Sequence, residues 1–495
     1  MCLTNSLKLM RFKKVLLVNP FYSSKFYPIP VLPAGLGYLA ECLKSAFIDY
    51  DIIDMALGYD LADLKRKIKS YSPDLIGFSI MTYRYMNTYE VIAEVKKEFP
   101  QIKIVCGGPH ISNLKNKIFE ECPDIDYGVT FEGEETLIEL ASGNQLESIK
   151  GLIYKKGDKV VYNGDRDFIV DLDRIPFPRY EKFEIDKYKY GISMVTSRGC
   201  PFSCIYCSCH LLGKKIRFRS PGNVAEEFEY WYGRGFREFG LQEDNPTFNK
   251  ERMYRLCDEI EKKGLKGIMI MCGNGVRADR IDKELLIRMK QAGFKRLAFG
   301  VEAGNNAILK NIKKNLKIET IENAISTACD LGFYVSLFFL VGSPGERVKD
   351  VRDSIALALK YPVSDVKFNN LVPIPGTELY RWVKENNYLL MEEDEYLNMD
   401  PPAQLSNRVV FQTPEFTASE RLKMLKETKN VERRVKRRVI ERKLPFCLGL
   451  NKAIARLYTT DFIRGLESVL FSSQGARESI GKIRMRVRKY IYERS

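Results

Sequence analysis

Short runs of β-branched and aromatic residues alternate with helical patterns through most of this chain, and this alternation constrains its fold more than any other feature. The first series covers residues 14–140, with candidate strands at 15–18, 50–53, 75–78, 102–105 and 127–129. Alternation of this kind predicts a parallel, doubly wound sheet in an α/β fold. Turn residues such as Asn19-Pro20 and Gly107-Gly108-Pro109 follow several strands, and ligands bind at the carboxyl ends of such strands.

A second series covers residues 191–375, with candidate strands at 193–196, 239–241, 267–271, 297–300, 334–340 and 366–371. Six strand–helix units are too few for a closed barrel of eight, so we expect a partial barrel. Catalytic residues of such folds lie at the carboxyl ends of the strands. The sequence therefore places its chemistry on the loops that follow these strands.

The chain of 495 residues is longer than one hydrophobic core usually organises. We expect a first α/β domain over residues 1–142, followed by a connector over residues 143–189. In the connector, the prolines of Ile175-Pro176-Phe177-Pro178 favour an extended path. The partial barrel then takes residues 190–385, and residues 386–495 form a basic, mainly helical C-terminal region.

Three cysteines follow the first strand of the second series, in the sequence Cys200-Pro-Phe-Ser-Cys204-Ile-Tyr-Cys207. Three thiolates on so short a loop can bind three irons of a 4Fe-4S cube and leave the fourth iron open to a substrate that chelates it. A structural zinc ion is the alternative, because Cys209 and His210 follow at once and can complete a tetrahedral site. The position at a strand end favours the cluster.

The numbers of cysteines and histidines limit the kinds of metal site and catalytic mechanism that this chain can have. No stretch is typical of an export signal, and none is long and apolar enough to span a membrane, so we expect a cytoplasmic protein. Twelve cysteines in that compartment favour thiolate or metal chemistry over disulfides. With only two histidines, His110 and His210, we do not expect a multi-histidine metal site or a histidine acid–base relay.

Positive charge is concentrated at the C-terminal end. The formal net charge is +15, and residues 421–495 contain 21 Lys or Arg against 7 Asp or Glu, a net charge of +14. Segments 434–438 and 482–489 alternate basic and apolar residues, which is typical of a helix or strand with one cationic face. That face is either a solvated cap or a contact for an anionic substrate, a lipid surface at the membrane periphery, or nucleic acid. The sequence contains no recognisable RNA-binding module, which argues against nucleic acid as the partner of this face.

The cysteine spacing, with the aromatic Tyr206 before the third cysteine, resembles the signature of the radical S-adenosylmethionine superfamily. Further motifs follow in that family's order, at residues 242–245, 274–279, 299–304 and 342–346. The resemblance implies that the cysteines hold a catalytic 4Fe-4S cluster at which S-adenosylmethionine is cleaved to a radical. It implies contacts to S-adenosylmethionine from Tyr206, Glu243, Asp244, Arg277, Glu302 and Ser343. Acids suit an ammonium or ribose hydroxyl and arginine suits a carboxylate, although each charged residue can equally form a strand-end salt bridge.

Four segments of the first series resemble, in content and order, the cobalamin-binding domains that are fused to radical enzymes. They are residues 33–40, 73–79, 106–110 and 131–136. Together with the barrel motifs, they are similar to the family of anaerobic magnesium-protoporphyrin IX monomethyl ester cyclases and cobalamin-dependent methylases. The resemblance implies that cobalamin contacts Asn19, Gly35, Ser79, Thr82, Gly107, Gly108, His110, Glu132 and Gly133. Ordinary strand-end turns are the alternative for these positions, and for His110 a hydrogen bond to the backbone.

One segment departs from the pattern of many cobalamin domains. Those domains supply cobalt with a lower histidine from D-x-H-x-x-G, but Asp54-Met-Ala56-Leu-Gly58 has alanine where the histidine would fall. The resemblance then implies a cobalt that more easily reaches a low-coordinate, strongly nucleophilic state.

Four functions are compatible with these motifs. The leading one is a cobalamin-dependent radical enzyme that methylates an unactivated carbon of a small-molecule or lipid-like substrate. The others are an oxidative cyclase of the magnesium-protoporphyrin type, a radical RNA-modifying enzyme and a non-catalytic cobalamin-binding sensor. The intact cysteine triplet argues against the sensor. As in the family, electrons would come from an external donor of the flavodoxin or ferredoxin type.

Overall fold

The computed structural model describes residues 11–20, 30–188, 191–209, 213–399 and 407–443. Its first sheet contains β1 (Lys14–Asn19), β2 (Asp49–Asp54), β3 (Leu75–Ser79), β4 (Lys103–Gly107), β5 (Tyr127–Val129), β6 (Leu152–Lys156) and β7 (Lys159–Tyr162). They lie in the order β2-β1-β3-β4-β5-β6-β7, and the first five are parallel. The five predicted strands are confirmed. The direction of strand addition reverses between β1 and β3, the point at which such sheets bind ligands.

Helices cover both faces of this sheet: α1 (Ala34–Ser45), α2 (Leu61–Tyr71), α3 (Tyr85–Glu98), α4 (Pro109–Leu114), α5 (Ile118–Glu121) and α6 (Glu134–Ala141). Alternate residues of β1 enter different cores, because Leu17 packs on the side of α1 and α6 and Leu16 packs on the side of α2 and α3. Strand side chains point to opposite faces in this way. A capping box formed by Asp60 and Asp63 begins α2.

The β6–β7 hairpin lies in the segment predicted as an extended connector. The two strands pair antiparallel around Gly157, which has a φ of +61°, and β6 pairs antiparallel with β5. Leu152, Ile153 and Tyr154 are buried there. The first sheet therefore extends to residue 162, whereas the sequence placed the end of the α/β domain at residue 142. A short strand that ends in a charged turn carries too little periodicity to be recognised.

Eight more strands follow: β8 (Ile192–Met194), β9 (Ser197–Arg198), β10 (Arg217–Phe218), β11 (Glu238–Leu241), β12 (Met269–Val276), β13 (Phe294–Glu302), β14 (Tyr334–Val341) and β15 (Asp365–Asn370). β9 and β10 form a small antiparallel hairpin. The other six form a parallel sheet in the order β8-β11-β12-β13-β14-β15, so each unit adds beside the one before it. The six predicted strands and the partial barrel are confirmed.

The helices between these strands are α7 (Pro221–Gly233), α8 (Lys250–Lys262), α9 (Lys283–Gln291), α10 (Asn306–Asn311), α11 (Ile318–Asp330) and α12 (Val348–Lys360). Side-chain oxygens of Ser220, Asn249 and Asp282 accept hydrogen bonds from the first turns of α7, α8 and α9. Phe239 of β11 and Phe339 of β14 are fully buried, and their core is continuous with the core on the α1 and α6 side of the first sheet.

Three helices are described after the barrel: α13 (Glu378–Glu385), α14 (Glu393–Leu397) and α15 (Ala418–Lys443). Met424, Val431 and Val435 of α15 are buried against the barrel, whereas Arg434 is exposed. The described part of the basic region is thus a helix with one cationic face, as predicted, and residues 482–489 lie outside the described residues. Within the described ranges, no helix has the length and apolarity needed to cross a membrane.

Candidate active site

The cysteine loop, residues 199–216, leaves the barrel through the β9–β10 hairpin. Gly199 begins the loop with a φ of +88°, and a side chain there would overlap the carbonyl of Lys215. The amide of Cys200 donates to the carbonyl of Gly213 at 3.2 Å. The two ends of the loop are therefore held together at its base.

The middle of the cysteine loop is tied to the barrel. The amide of Ile205 donates to the carbonyl of Ile312 at 3.2 Å, and the amide of Leu379 donates to the carbonyl of Ile205 at 2.9 Å. A tight turn joins the last two cysteines, because the amide of Cys207 donates to the carbonyl of Cys204 at 3.1 Å. Cys204 is buried, whereas the outer two cysteines are half-buried.

The three thiols fit an iron–sulfur cube. All three are free, and burial raises the pKa of Cys200 and of Cys204. Such thiols become thiolates when a metal ion replaces the proton. A cube is bound through separate irons, so its ligands need not converge on one point. Among the described residues, no three His, Cys, Asp or Glu side chains converge in a way that would hold one metal ion.

Cys209 forms a different contact from the other cysteines of the loop. Its thiol donates to Oδ1 of Asp244 at 3.1 Å. Hydrogen bonding from Cys209, whose one S–H proton can serve only Asp244 or Cys207 at a time, also lowers the pKa of Cys207. His210, the other residue of the zinc alternative, lies outside the described residues. The predicted S-adenosylmethionine contact Asp244 is therefore placed beside the cysteine loop.

The segment after β11 holds both paired and unpaired buried polar groups. The carboxylate of Glu243 accepts hydrogen bonds from the hydroxyl of Thr196 at 2.5 Å and from its amide at 3.4 Å, and burial raises the pKa of Glu243. By contrast, the side chains of Asn245 and Thr247 are buried and have no hydrogen-bond partner among the described residues. Buried polar groups of this kind usually bind a ligand or ordered water. The sequence analysis did not select either of them, although Asn245 ends one of the family motifs.

Arg277, which follows β12, lies against the cysteine loop. Its guanidinium carbon is 3.5 Å from the ring centre of Phe202, two residues after Cys200. Its nitrogens donate to Oδ1 of Asp279 at 3.0 Å and to the carbonyl of Lys314 at 3.1 Å. Arg277 thus helps to fix the loop, and its paired charge is less available to a ligand than the sequence alone indicates.

Glu302 ends β13 with a φ of +67° and turns its carboxylate toward the cysteine loop. Oε1 accepts from Nζ of Lys314 at 2.8 Å, and the carboxylate lies beside Tyr206. Burial raises the pKa of Tyr206. Lys314 is itself buried, and sequence reasoning missed it because nothing distinguishes it from the neighbouring lysine and asparagines.

The 342–346 loop, residues 342–346 after β14, contains further unpaired groups. The hydroxyl of Ser343 and Oε1 of Glu346 are buried and have no hydrogen-bond partner in the described part of the chain. Oε2 of Glu346 accepts from the amides of Gly342 and Ser343. The buried, unpaired hydroxyl of Ser343 fits a residue that binds a ligand such as S-adenosylmethionine.

The predicted cobalamin residues of β1, β3 and β4 lie side by side at the carboxyl edge of the first sheet. Asn19, Ser79 and Gly107 end these three adjacent strands, and Ser79 is in register with Gly107. Gly108 has a φ of +106°, and an added Cβ would lie 2.6 Å from the carbonyl oxygen of Ile80. Only glycine allows this close approach. Small residues and backbone therefore form this edge at β3 and β4, which fits the binding of a bulky ligand.

Asn19 and Asp54 are paired at this edge. Nδ2 of Asn19 donates to Oδ1 of Asp54 at 2.7 Å, the amide of Ala56 donates to the same oxygen at 2.9 Å, and the hydroxyl of Tyr188 donates to the other oxygen. Burial raises the pKa of Asp54. No imidazole is present at residue 56, where other cobalamin domains have one.

His110 is placed in the core. Its ring is buried and stacks on Tyr85 with centroids 4.3 Å apart, and Nε2 is hydrogen-bonded to the hydroxyl of Tyr89 at 2.9 Å. Burial lowers the pKa of His110 to about 4, so the ring is neutral at physiological pH. The structure thus places the ring of His110 in a buried aromatic cluster with Tyr85 and Tyr89.

The remaining predicted cobalamin residues lie on loops and helix starts. Gly35 is exposed in the first turn of α1, Thr82 is half-buried after β3, and Gly133 is half-buried just before α6. Glu132 is engaged in ion pairs with Arg198 and Arg217. The structure therefore leaves Gly35, Thr82 and Gly133 accessible, and it gives Glu132 other partners.

A cysteine loop at the strand ends of a partial barrel, together with a parallel sheet that ends in small residues at its carboxyl edge, is typical of an iron–sulfur enzyme with two ligand-binding α/β units. Sequence profiles agree, because residues 194–358 match the Radical SAM superfamily and residues 29–141 match the B12 binding domain. An uncharacterized methyltransferase of Pyrococcus horikoshii is 33% identical over 414 residues, a match that covers 80% of this chain and 89% of that protein. The chain belongs to the radical S-adenosylmethionine enzymes that carry a B12-binding domain.

Two other proteins are similar. The anaerobic magnesium-protoporphyrin IX monomethyl ester cyclase of Cereibacter sphaeroides is 27% identical over 394 residues, covering 75% of this chain and 64% of that protein. The cobalamin-dependent S-adenosylmethionine radical enzyme OxsB shares the fold, with a TM-score of 0.71 and 18% identity over 96% of this chain and 76% of that one. The cofactors of this enzyme family are a 4Fe-4S cluster, S-adenosylmethionine and cobalamin. Such an enzyme takes electrons from an external donor.

Proposed function

We propose that this enzyme methylates an unactivated carbon of a small-molecule substrate. The observation that carries the proposal is the 33% identity to a methyltransferase, against 27% identity to the cyclase. The absence of imidazole at residue 56 also supports it, since a cobalt without that ligand is a stronger nucleophile. When bound, the cluster and S-adenosylmethionine supply a carbon radical, and cobalamin supplies the methyl group.

The residues of the barrel would then divide into two roles. Cys200, Cys204 and Cys207 hold the cluster. The side chains proposed to contact S-adenosylmethionine lie at the ends of barrel strands or on the cysteine loop. They are Asp244, Glu302, Tyr206, Ser343 and the unpaired amide of Asn245. Glu243 and Arg277 are proposed to approach S-adenosylmethionine while they stay bound to Thr196 and Asp279, which would fix their orientation.

On the first sheet, Ser79, Thr82, Gly107 and Gly108 are proposed to border cobalamin, with Gly35 and Gly133 on the flanking helix starts. Asn19 and His110 are proposed to stabilise this edge, because Asn19 is hydrogen-bonded to Asp54 and His110 is hydrogen-bonded to Tyr89. A neutral, buried His110 supplies packing rather than a metal ligand.

A ferredoxin or flavodoxin is the proposed electron donor, in the cytoplasm. The ten described cysteines are all free thiols, which is typical of a reducing compartment. The cationic face of α15 is proposed as the surface for an anionic partner, a lipid-like substrate or the membrane periphery, because Arg434 is exposed beside the buried Val435.

Product analysis after anaerobic reconstitution with iron, sulfide and cobalamin tests the proposal. We expect the visible spectrum of an iron–sulfur cluster together with bound cobalamin. With S-adenosylmethionine and a reductant, a methyltransferase of this type forms both 5′-deoxyadenosine and S-adenosylhomocysteine, whereas a cyclase forms only the first. Formation of 5′-deoxyadenosine without S-adenosylhomocysteine would overturn the methyltransferase in favour of the cyclase. Formation of neither would favour a sensor.

A further inference from the structure

The base of the cysteine loop places two arginines opposite each other. Arg198 of β9 and Arg217 of β10 are directly paired in the antiparallel hairpin. Like charges at opposed positions destabilise a hairpin. Their side chains are only 18% and 10% exposed, so solvent screens the repulsion poorly. A stable loop base therefore requires a carboxylate at this position.

The carboxylates come from the first sheet. Glu132, in the turn between β5 and α6, accepts from Nη1 of Arg198 at 3.1 Å and from Nη1 of Arg217 at 2.9 Å through both of its oxygens. Glu134 accepts from Nη2 of Arg198 at 2.6 Å. Both carboxylates are mostly buried, so charge-assisted hydrogen bonds cross from the first sheet to the cysteine loop in a site shielded from water.

The same residues fix the segment that connects the two sheets. The amide of Ile169 donates to Oε2 of Glu132 at 2.8 Å, and Arg217 donates to the carbonyl of Ile169 at 2.7 Å. The ring of Tyr38, on α1, lies 4.9 Å from the guanidinium carbon of Arg198. Glu132 therefore has both oxygens engaged by three partners, and the sequence-based assignment to cobalamin does not account for them.

We propose that Glu132 is a positioning residue that, through Arg198 and Arg217, fixes the cysteine loop relative to the carboxyl edge of the first sheet. The consequence for catalysis rests on the proposed function, because methyl transfer requires the radical site and the cobalamin edge to face one substrate. Removing the Glu132 charge leaves Arg217 mostly buried without a carboxylate. The loop base then relaxes, and S-adenosylmethionine cleavage becomes uncoupled from methylation.

Glu132→Gln tests the proposal because it keeps the shape of the side chain and removes its charge. The matched control is Glu135→Gln, since Glu135 lies on the same helix start, is 47% exposed and pairs with Arg166. Hydrogen–deuterium exchange of the apoprotein is measured for peptides covering residues 167–172 and 213–219, which leave out Arg166, the partner of Glu135. We expect exchange in both peptides to be several-fold faster in Glu132→Gln and unchanged in Glu135→Gln. Equal exchange in wild type and Glu132→Gln would overturn the proposal.

Cofactor content and product ratio give independent readouts. We expect Glu132→Gln to retain cobalamin and iron but to form several-fold more 5′-deoxyadenosine per S-adenosylhomocysteine than wild type. Loss of cobalamin with unchanged exchange would instead make Glu132 a cobalamin contact and overturn the positioning role. If wild type forms no S-adenosylhomocysteine, the proposed function fails and the exchange result alone decides. If Glu132→Gln does not fold, Arg198→Lys is measured in the same way, because it keeps the positive charge but loses the two-nitrogen contact to Glu132 and Glu134.

Discussion

The guanidinium of Arg421 lies directly against Gly342, so closely that a methyl group on Gly342 would overlap it. Arg421 belongs to α15, whereas Gly342 begins the 342–346 loop of the barrel. Arg421 is 1% exposed and donates to the carbonyl of Phe411 at 3.0 Å and to Oδ1 of Asn370 at 2.7 Å. The C-terminal helix is therefore part of the structure that supports a strand-end loop of the active site.

Gly342→Ala should destabilise the protein strongly. Gly342 has a φ of +107°, and the Arg421 guanidinium cannot withdraw without breaking its buried hydrogen bonds. We expect the free energy of unfolding to fall by roughly 3 kcal/mol, from backbone strain and overpacking together. Urea unfolding of the apoprotein, followed by circular dichroism, measures this change.

Gly264→Ala is the matched control for backbone strain alone. Gly264 also has a positive φ, +64°, but an added Cβ meets no heavy atom within 4 Å. We expect a loss of about 1 kcal/mol, the usual cost of a left-handed residue with a side chain. Equal losses in the two variants would show that the Arg421 contact does not restrict residue 342.

Glu346 should make stability depend on pH. Burial raises its pKa from 4.5 to about 7, the Arg421 charge opposes this shift, and the Asp350 charge adds to it. Because the folded state binds the proton more tightly, the stabilisation is complete below pH 4.5 and is lost as the pH rises to about 7. Glu346→Gln does not titrate. We expect it to lose on the order of 1–3 kcal/mol less stability than wild type over this range, measured by urea unfolding at a series of pH values.

Two comparisons separate the pH dependence caused by Glu346 from that of other glutamates. Glu227 is also buried with its pKa raised to about 7, but it is present in both proteins and cancels in the difference. Glu415→Gln changes an exposed glutamate and should leave the wild-type pH dependence intact. Parallel pH profiles for wild type and Glu346→Gln would mean that folding does not raise the pKa of Glu346.

The sequence predicted those parts of the fold and of the site that depend on local residue patterns. Eleven strands and the cysteine loop were found because hydrophobic runs and cysteine spacing are local signals. The partners of Glu132 and Arg421 were not found, since these contacts join residues far apart in the chain and leave no periodic trace. Lys314 and its partner Glu302 are only 12 residues apart, but they belong to different elements, so the sequence pattern does not pair them. The surroundings of His110 were not predicted either, because its place after a glycine-rich turn does not reveal that Tyr85 and Tyr89 bury it.

Cys204→Ala should prevent cluster assembly while sparing the first sheet. Cys204 is the buried, middle cysteine of the loop. It belongs to the barrel, whereas the residues proposed to border cobalamin belong to the first sheet. We expect iron in the reconstituted protein to fall from about four atoms per chain toward zero, with no 5′-deoxyadenosine formed and cobalamin still bound. Iron analysis and visible spectra measure both cofactors.

Cys209→Ala is the control for losing a thiol from the same loop. The Cys209 thiol binds Asp244, so we expect the variant to keep its iron and to cleave S-adenosylmethionine. Loss of iron in Cys209→Ala, or its retention in Cys204→Ala, would contradict the assignment of the three cluster ligands.

Ala56→His should restore a cobalt ligand that this chain lacks. Ala56 is half-buried at the carboxyl edge of the first sheet, and its amide already donates to Asp54 as part of the turn after β2. Since the ring of His110 is buried against Tyr85, no described histidine faces this edge. We expect the electron paramagnetic resonance spectrum of bound cob(II)alamin to show nitrogen splitting from protein imidazole in Ala56→His but not in wild type or Ala56→Gln. Isotope-labelled histidine assigns the splitting to the protein, and such a signal in wild type would show that another histidine already ligates cobalt.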